Sequence, residues 1–196
     1  MIKGFSPNKQ KKKPAEDQNI ISSLPRPMIQ FIKSLDKKDL VGAEIGVLNG
    51  ENARSIFLTL DIKKMFLIDP YKVHDEYLEI KSPVFNIIKD RAISNLAQFK
   101  ERIVWIQEKS SEAVDDVTDE LDFIYIDGNH SYENTLEDIK NYWSRVKDGG
   151  IIGGHDYYNM GKAREVKKAV DEIVATNDLK LNFIREGPLC DWWIVK

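Results

Sequence analysis

From Leu40 to Gly154, short apolar runs that end at a turn residue or an acid alternate with stretches whose apolar residues recur every three or four positions. That rhythm builds βαβ units and a mostly parallel sheet, because short buried strands need amphipathic crossovers to return the chain. Strands are predicted from Val41 to Gly46, Lys64 to Asp69, Ile103 to Gln107, Leu121 to Asp127 and Gly150 to Gly154. Ala53, Ile56, Phe57 and Leu60 form one helical stripe, and Val166, Ala169, Val170, Ile173 and Val174 form another. A third, Leu136, Ile139, Trp143 and Val146, is expected to stop at the glycine pair 149–150. Pro25 and Pro27 open a short helix carrying Met28, Ile29, Phe31, Ile32 and Leu35, which packs on or lids the βαβ units after it. At the other end, Leu181 to Arg185 and Asp191 to Val195 flank a turn too short for a helical crossover, so they pair antiparallel.

A chain of 196 residues suits one domain, expected over 20–196 after a disordered tail at 1–19. The only cysteine, Cys190, excludes an internal disulfide and a thiolate zinc cluster. With no run long and apolar enough for a membrane span and no signal-peptide core at the N-terminus, a soluble cytoplasmic protein is expected. Lys+Arg number 29 against Asp+Glu 32, and the lysines at 3, 9, 11, 12 and 13 precede every acid. The remainder therefore stands at about −8, which argues against a nucleic-acid-binding body. Trp192-Trp193 is either core or the interface of a homo-oligomer.

Four constellations carry chemistry. In VGAEIGVLNGENARSI, Gly46 closes a strand and Gly50 opens a helix, giving either a ligand shelf or a plain tight turn. Leu48 stands where a dinucleotide fingerprint needs its second glycine, so NAD loses ground. Asp69 ends the next strand, placed to accept from both hydroxyls of a ribose or simply to serve a turn before Pro70. Lys109, Ser110 and Ser111 end the third, where a serine either meets an adenine edge or caps a helix. Most distinctive are IDGNHSYENTLEDI and GGIIGGHDY, which bring Asp127, His130, His155 and Asp156 to adjacent strand ends. Two carboxylates there fit a hard cation such as Mg²⁺, since two anions held together without one would be costly.

These motifs resemble those of class I S-adenosylmethionine-dependent methyltransferases over roughly residues 40 to 196. More narrowly, the paired loops are similar to a metal-dependent branch containing macrocin- and mycinamicin-type sugar O-methyltransferases. The resemblance implies an α/β, Rossmann-like doubly wound sheet of seven strands, ordered 3-2-1-4-5-7-6 with strand 7 antiparallel and helices on both faces. It implies S-adenosylmethionine as cofactor, with Glu44, Gly46 and Gly50 around its methionine part, Asp69 on the ribose and Lys109, Ser110 or Ser111 beside the adenine. Asp127 then borders the cofactor and, with Asp156, binds Mg²⁺, while His130 serves as base. His155 stands where the sugar enzymes can carry Glu, and nitrogen ligation there suits zinc, iron or nickel better.

The acceptor implied is a small hydroxylated molecule, a sugar foremost, with residues 71–100 as an acceptor lid carrying Tyr71, His74 and Tyr77. The plainer reading of that passage is a crossover helix from Phe85 to Phe99 with a long loop before it. Two rivals stand beside the methyltransferase: a non-catalytic cofactor-binding module, and a metal-dependent phosphoesterase suggested by GNH and GH loops. The second lacks the D-x-H and G-D-x-x-D that such sites need.

Overall fold

The computed structural model describes residues 25–72, 82–158, 164–186 and 189–196. The basic tail, the fold's expected start near Ile20, His74, Tyr77 and the turn at 187–188 lie outside these residues. In chain order the elements are α1 (Pro27–Ser34), β1 (Leu40–Ile45), α2 (Glu51–Thr59), β2 (Ile62–Ile68), α3 (Ser82–Asn95) and β3 (Ile103–Ile106). They continue with β4 (Leu121–Ile126), α4 (Tyr132–Trp143), β5 (Val146–Gly154), α5 (Arg164–Thr176), β6 (Leu181–Glu186) and β7 (Leu189–Val195). The sheet runs β3-β2-β1-β4-β5-β7-β6, the order that the resemblance implied. β7 is antiparallel to both β5 and β6, while β1 to β5 pair parallel among themselves.

Each central strand is buried on both faces, which is why it reads as a nearly unbroken apolar run. In β4, Phe123 and Tyr125 join a core layer with Met28, Ile32 and Phe57, beneath α1 and α2. Ile124 and Ile126 point the opposite way, into a layer with Ile139, Tyr142 and Val170, beneath α4 and α5. Helices therefore cover both faces. The chain winds outward from β1 through β2 to β3, then returns to place β4 on the other side of β1. That reversal opens a crevice at the carboxyl ends of β1 and β4, where ligands of open α/β sheets bind.

Two expected elements differ. Val146 keeps the helical phase of Leu136, Ile139 and Trp143, yet α4 stops at Trp143 and Val146 begins β5, paired with Leu121. The glycine pair sits within β5 at a register irregularity, so it bulges a strand rather than capping a helix. The crossover helix begins earlier than expected, at Ser82, and after Asn95 tightens into a 3₁₀ turn over Ala97–Arg102.

Trp192 and Trp193 are 0% and 5% exposed and lie in opposite core layers, which settles them as core. Replacing Trp192 by Ala is expected to cost about 3–5 kcal/mol, the usual range for a large buried aromatic. An unchanged urea midpoint would contradict this placement.

Candidate active site

The site begins with a close approach of two backbones. Gly46 N donates to Ile68 O at 2.9 Å and Asp127 N donates to Ile45 O at 2.8 Å, so the ends of β2, β1 and β4 are laced together. Gly46 adopts φ +84°, and a Cβ there would lie 2.1 Å from the Asp127 carbonyl oxygen. No side chain fits between them. Gly50 is left-handed too, but its missing Cβ faces Leu96 Cδ1 at 2.9 Å and Ala92 Cα at 3.3 Å, on the α3 side. It is not among the residues of the cavity wall, and its missing side chain lets α3 approach the start of α2.

Beside the bend opens a cavity of about 840 Å³ whose wall includes Glu44, Gly46, Asp69, Asp127 and His130. Asp69 works as a clamp. Its Oδ2 accepts from Val47 N and Leu48 N, both at 3.0 Å, and its Oδ1 accepts from Tyr71 N at 2.8 Å. Tyr71, expected in an acceptor lid, is 5% exposed and donates its hydroxyl to Leu48 O at 3.1 Å, so it braces the same loop. Lys109, Ser110 and Ser111 form the far wall. The Ser110 hydroxyl donates to Asp138 Oδ1 at 2.5 Å, tying that loop to α4 instead of capping a helix. Burial pushes the Asp138 carboxyl up to about 7 although the Ser110 hydrogen bond opposes it.

At the β4 and β5 ends the distinctive loops converge as their spacing predicts. One ligand atom each from Asp127, His130 and Asp156 lies within 4.8 Å of the others. His130 Nε2 stands 3.4 Å from Asp127 Oδ1 and 3.2 Å from Asp156 Oδ2. Asp156 is held with φ +62°, a left-handed conformation uncommon outside glycine and worth a structural explanation. Burial tends to raise the Asp127 carboxyl, but the His130 hydrogen bond and the charges of Arg26 and His155 hold it below the usual range.

His155 lies beside this cluster. Its Nδ1 lies 3.0 Å from Asp191 Oδ1, its Nε2 lies 3.6 Å from Asp156 Oδ1, and it is outside the three-residue cluster. The imidazole that shares a cation-sized space with the two carboxylates is His130.

Sequence reasoning missed Arg26 and Asp191. Asp191 is fully buried in β7, where its Oδ2 accepts from Met28 N at 3.1 Å and its Oδ1 from Tyr125 Oη at 2.9 Å. Its legible signal was an acid inside the run Cys190 to Val195, since a strand buried on both faces carries a charge only with partners. Arg26 lies ahead of α1, reaches across the sheet end to place Nη2 3.4 Å from Asp127 Oδ2, and stacks its guanidinium over Tyr125 at 5.7 Å. Nothing in its Pro-Arg-Pro setting announces that reach.

Glu44 is 1% exposed, accepts from Asn52 Nδ2 at 2.8 Å, and is pushed by burial from its ordinary 4.5 up to about 8. Between those values the folded state holds a proton that the unfolded chain has released, so this group's stabilisation falls as pH rises through that window. Glu44→Gln, which cannot ionise, is therefore expected to lose less stability than the unsubstituted protein as pH rises from about 5 to about 8. Denaturant midpoints across that range check this, and parallel pH profiles would contradict it.

Residues 43–157 match the family model described as a methyltransferase domain. Uncharacterized protein R132 of Acanthamoeba polyphaga mimivirus is 28% identical over 142 residues, 72% of this chain, which spans 62% of that relative's length. An O-methyltransferase from Bacillus cereus in complex with SAH superposes with a TM-score of 0.65 at 14% identity, over 93% of this chain and 84% of that one. The O-methyltransferase TomG of Streptomyces achromogenes, involved in tomaymycin synthesis and solved with SAM, gives 0.65 at 10% identity over 90% and 80%. An rRNA methylase from Streptococcus thermophilus gives 0.60 at 17% over 86% and 93%. At such identities the likeness establishes the fold, which O-methyltransferases and rRNA methylases share. The family match, by contrast, spans more than half of the chain and runs from the glycine bend through the Asp127, His130 and Asp156 loops: the chain belongs to the methyltransferase-domain family.

Proposed function

We propose that the protein transfers a methyl group from S-adenosylmethionine to a hydroxyl oxygen of a small molecule, a sugar hydroxyl foremost, with help from a divalent cation. The convergence of Asp127, His130 and Asp156 at the edge of the cavity carries this reading. The cofactor fits on physical grounds, because buried side-chain atoms of Arg26, Glu44, Asn49 and Asn52 in the cavity wall lack partners among the described residues. Buried polar atoms are normally paired, so four orphans in one wall mark a polar ligand's place. Asp69 and the wall at Lys109, Ser110 and Ser111 would receive the adenosine end.

Asp127 and Asp156 would hold the cation through hard oxygen donors of the kind Mg²⁺ takes, which leaves His130 Nε2 for proton transfer. When bound, the cofactor supplies an electrophilic methyl group, and the cation supplies positive charge that acidifies the acceptor hydroxyl. The chain's first contribution is alignment: Gly46 keeps the ends of β1 and β4 side by side beneath the cavity, and the walls fix donor and acceptor in line. Positioning of this kind removes about 7–11 kcal/mol of barrier in favourable cases. The second is proton transfer. His130 Nε2 takes the proton of the acceptor hydroxyl, and the imidazolium so formed stands between two carboxylates, at 3.4 and 3.2 Å.

His130→Ala is expected to lower turnover by roughly 10²–10⁴ while S-adenosylhomocysteine affinity stays nearly constant. Equal loss of both would make His130 structural. In a methyl-transfer assay across hydroxylated acceptors, a chelator should suppress activity and added divalent metal should restore it. Full activity in chelator would remove the cation, and no transfer to any acceptor despite cofactor binding would favour the non-catalytic module.

A further inference from the structure

Lys167 and Asp171 stand one turn apart on α5, and so do Lys168 and Glu172. Each of these pairs grips a tyrosine in the same way. The Tyr132 hydroxyl donates to Glu172 Oε2 at 2.5 Å, and Lys168 Nζ lies over its ring, 4.0 Å from the centroid. The Tyr157 hydroxyl donates to Asp171 Oδ1 at 2.5 Å, and Lys167 Nζ lies over its ring at 5.0 Å. The fit is one of length. Side chains four positions apart on a helix leave it about 5–6 Å from one another, which suits a ring that takes the ammonium on its face and carries its hydroxyl to the acid. We propose that Tyr132 and Tyr157 are positioning residues: α5 holds both, and so sets the spacing between the loop that carries His130 and the loop that carries Asp156.

The two tyrosines sit where such a grip reaches the site. Tyr132 follows His130 by two positions, and the residue between them is fixed on both sides: Ser131 N donates to Asn129 Oδ1 at 2.9 Å and Ser131 Oγ accepts from Asn134 N at 3.2 Å. Tyr157 directly follows Asp156, and its backbone N donates to Cys190 O at 3.0 Å. Little slack therefore separates either ring from the residue it flanks. Neighbouring positions on a helix point about 100° apart, so the two pairs leave α5 in different directions, one towards the start of α4 and the other towards the end of β5. His130 and Asp156 hang from different strands, and the 3.2 Å between His130 Nε2 and Asp156 Oδ2 depends on both loops keeping their distance. Lys168 and Glu172 are exposed, where a charged pair adds little stability because water screens it. Their use is geometric.

This inference rests on the role given to His130 above, and two readouts separate the claims. The chain has three histidines, so in protein carrying isotope-labelled histidine the His130 ring resonances are those that His130→Ala removes. Tyr132→Phe and Tyr157→Phe, which delete only a hydroxyl, should each shift those resonances. In a methyl-transfer assay each should lower kcat about tenfold, short of the roughly 10²-fold that a 1 Å misplacement costs, while KM and S-adenosylhomocysteine affinity stay constant. Glu172→Ala should reproduce Tyr132→Phe, and Glu172→Gln, which keeps an acceptor oxygen, should recover most of the loss. Added to His130→Ala, Tyr132→Phe should cost nothing further, because its effect passes through the missing ring. Unmoved His130 resonances in both Phe variants, with only a lower urea midpoint, would make the tyrosines structural and overturn the proposal. So would an undiminished loss when Tyr132→Phe is added to His130→Ala. Absence of methyl transfer by the unsubstituted protein would instead sink the function proposed above, and the resonances would still decide for or against the two tyrosines.

Discussion

Everything at the site depends on how closely the ends of β1 and β4 approach. The Asp127 carbonyl oxygen occupies the space where a Cβ of residue 46 would lie, 2.1 Å away. A glycine at that point lets the two strand ends stay side by side, and the chain reversal between β3 and β4 makes them neighbours at all. The bend turns the β1 backbone away from the sheet, Asp69 pins it there through Val47 and Leu48, and the cavity is what remains. A wider gap would displace Asp127 from His130 and Asp156.

The charges around that cavity are arranged in two tiers. Asp127 and His130 line the cavity with Asp156 close to both, and the His130 hydrogen bond and the Arg26 guanidinium favour the ionised form of Asp127. Behind them Asp191, fully buried, gathers Met28 N, Tyr125 Oη and the His155 ring. A buried carboxylate with three partners is tolerable, and one with none is not. Asp191 thus fixes the orientation of His155 and ties the start of α1 to β7. Arg26, one residue before α1, is placed by the same anchor.

Most of the fold was legible because it follows from local pattern. Strand–helix alternation, the proline-opened α1 and the short link between β6 and β7 specify the strands and an antiparallel end, while their order, and with it the crevice at the β1–β4 reversal, came from the family resemblance. Asp127, His130 and Asp156 were legible for the same reason, being at the ends of adjacent parallel strands. What pattern could not show is direction and distance. Gly50 and Gly46 look alike in sequence, yet only Gly46 lines the cavity, because the two missing side chains face opposite neighbours. His155 and His130 sit in equivalent loops, but a buried acid 36 positions later turns the first ring away. Val146 obeyed a helical period by coincidence, since its backbone was claimed by Leu121. Arg26 depends on a packing relation spanning 101 positions, which no local signal encodes.

A crystal structure of the protein with S-adenosylhomocysteine and Mn²⁺ tests the central claim most directly. The ligand's sulfur is predicted to lie against the Gly46 bend, with anomalous density for manganese between the carboxylates of Asp127 and Asp156. A ligand seated elsewhere, or manganese bound away from these two side chains, would contradict it.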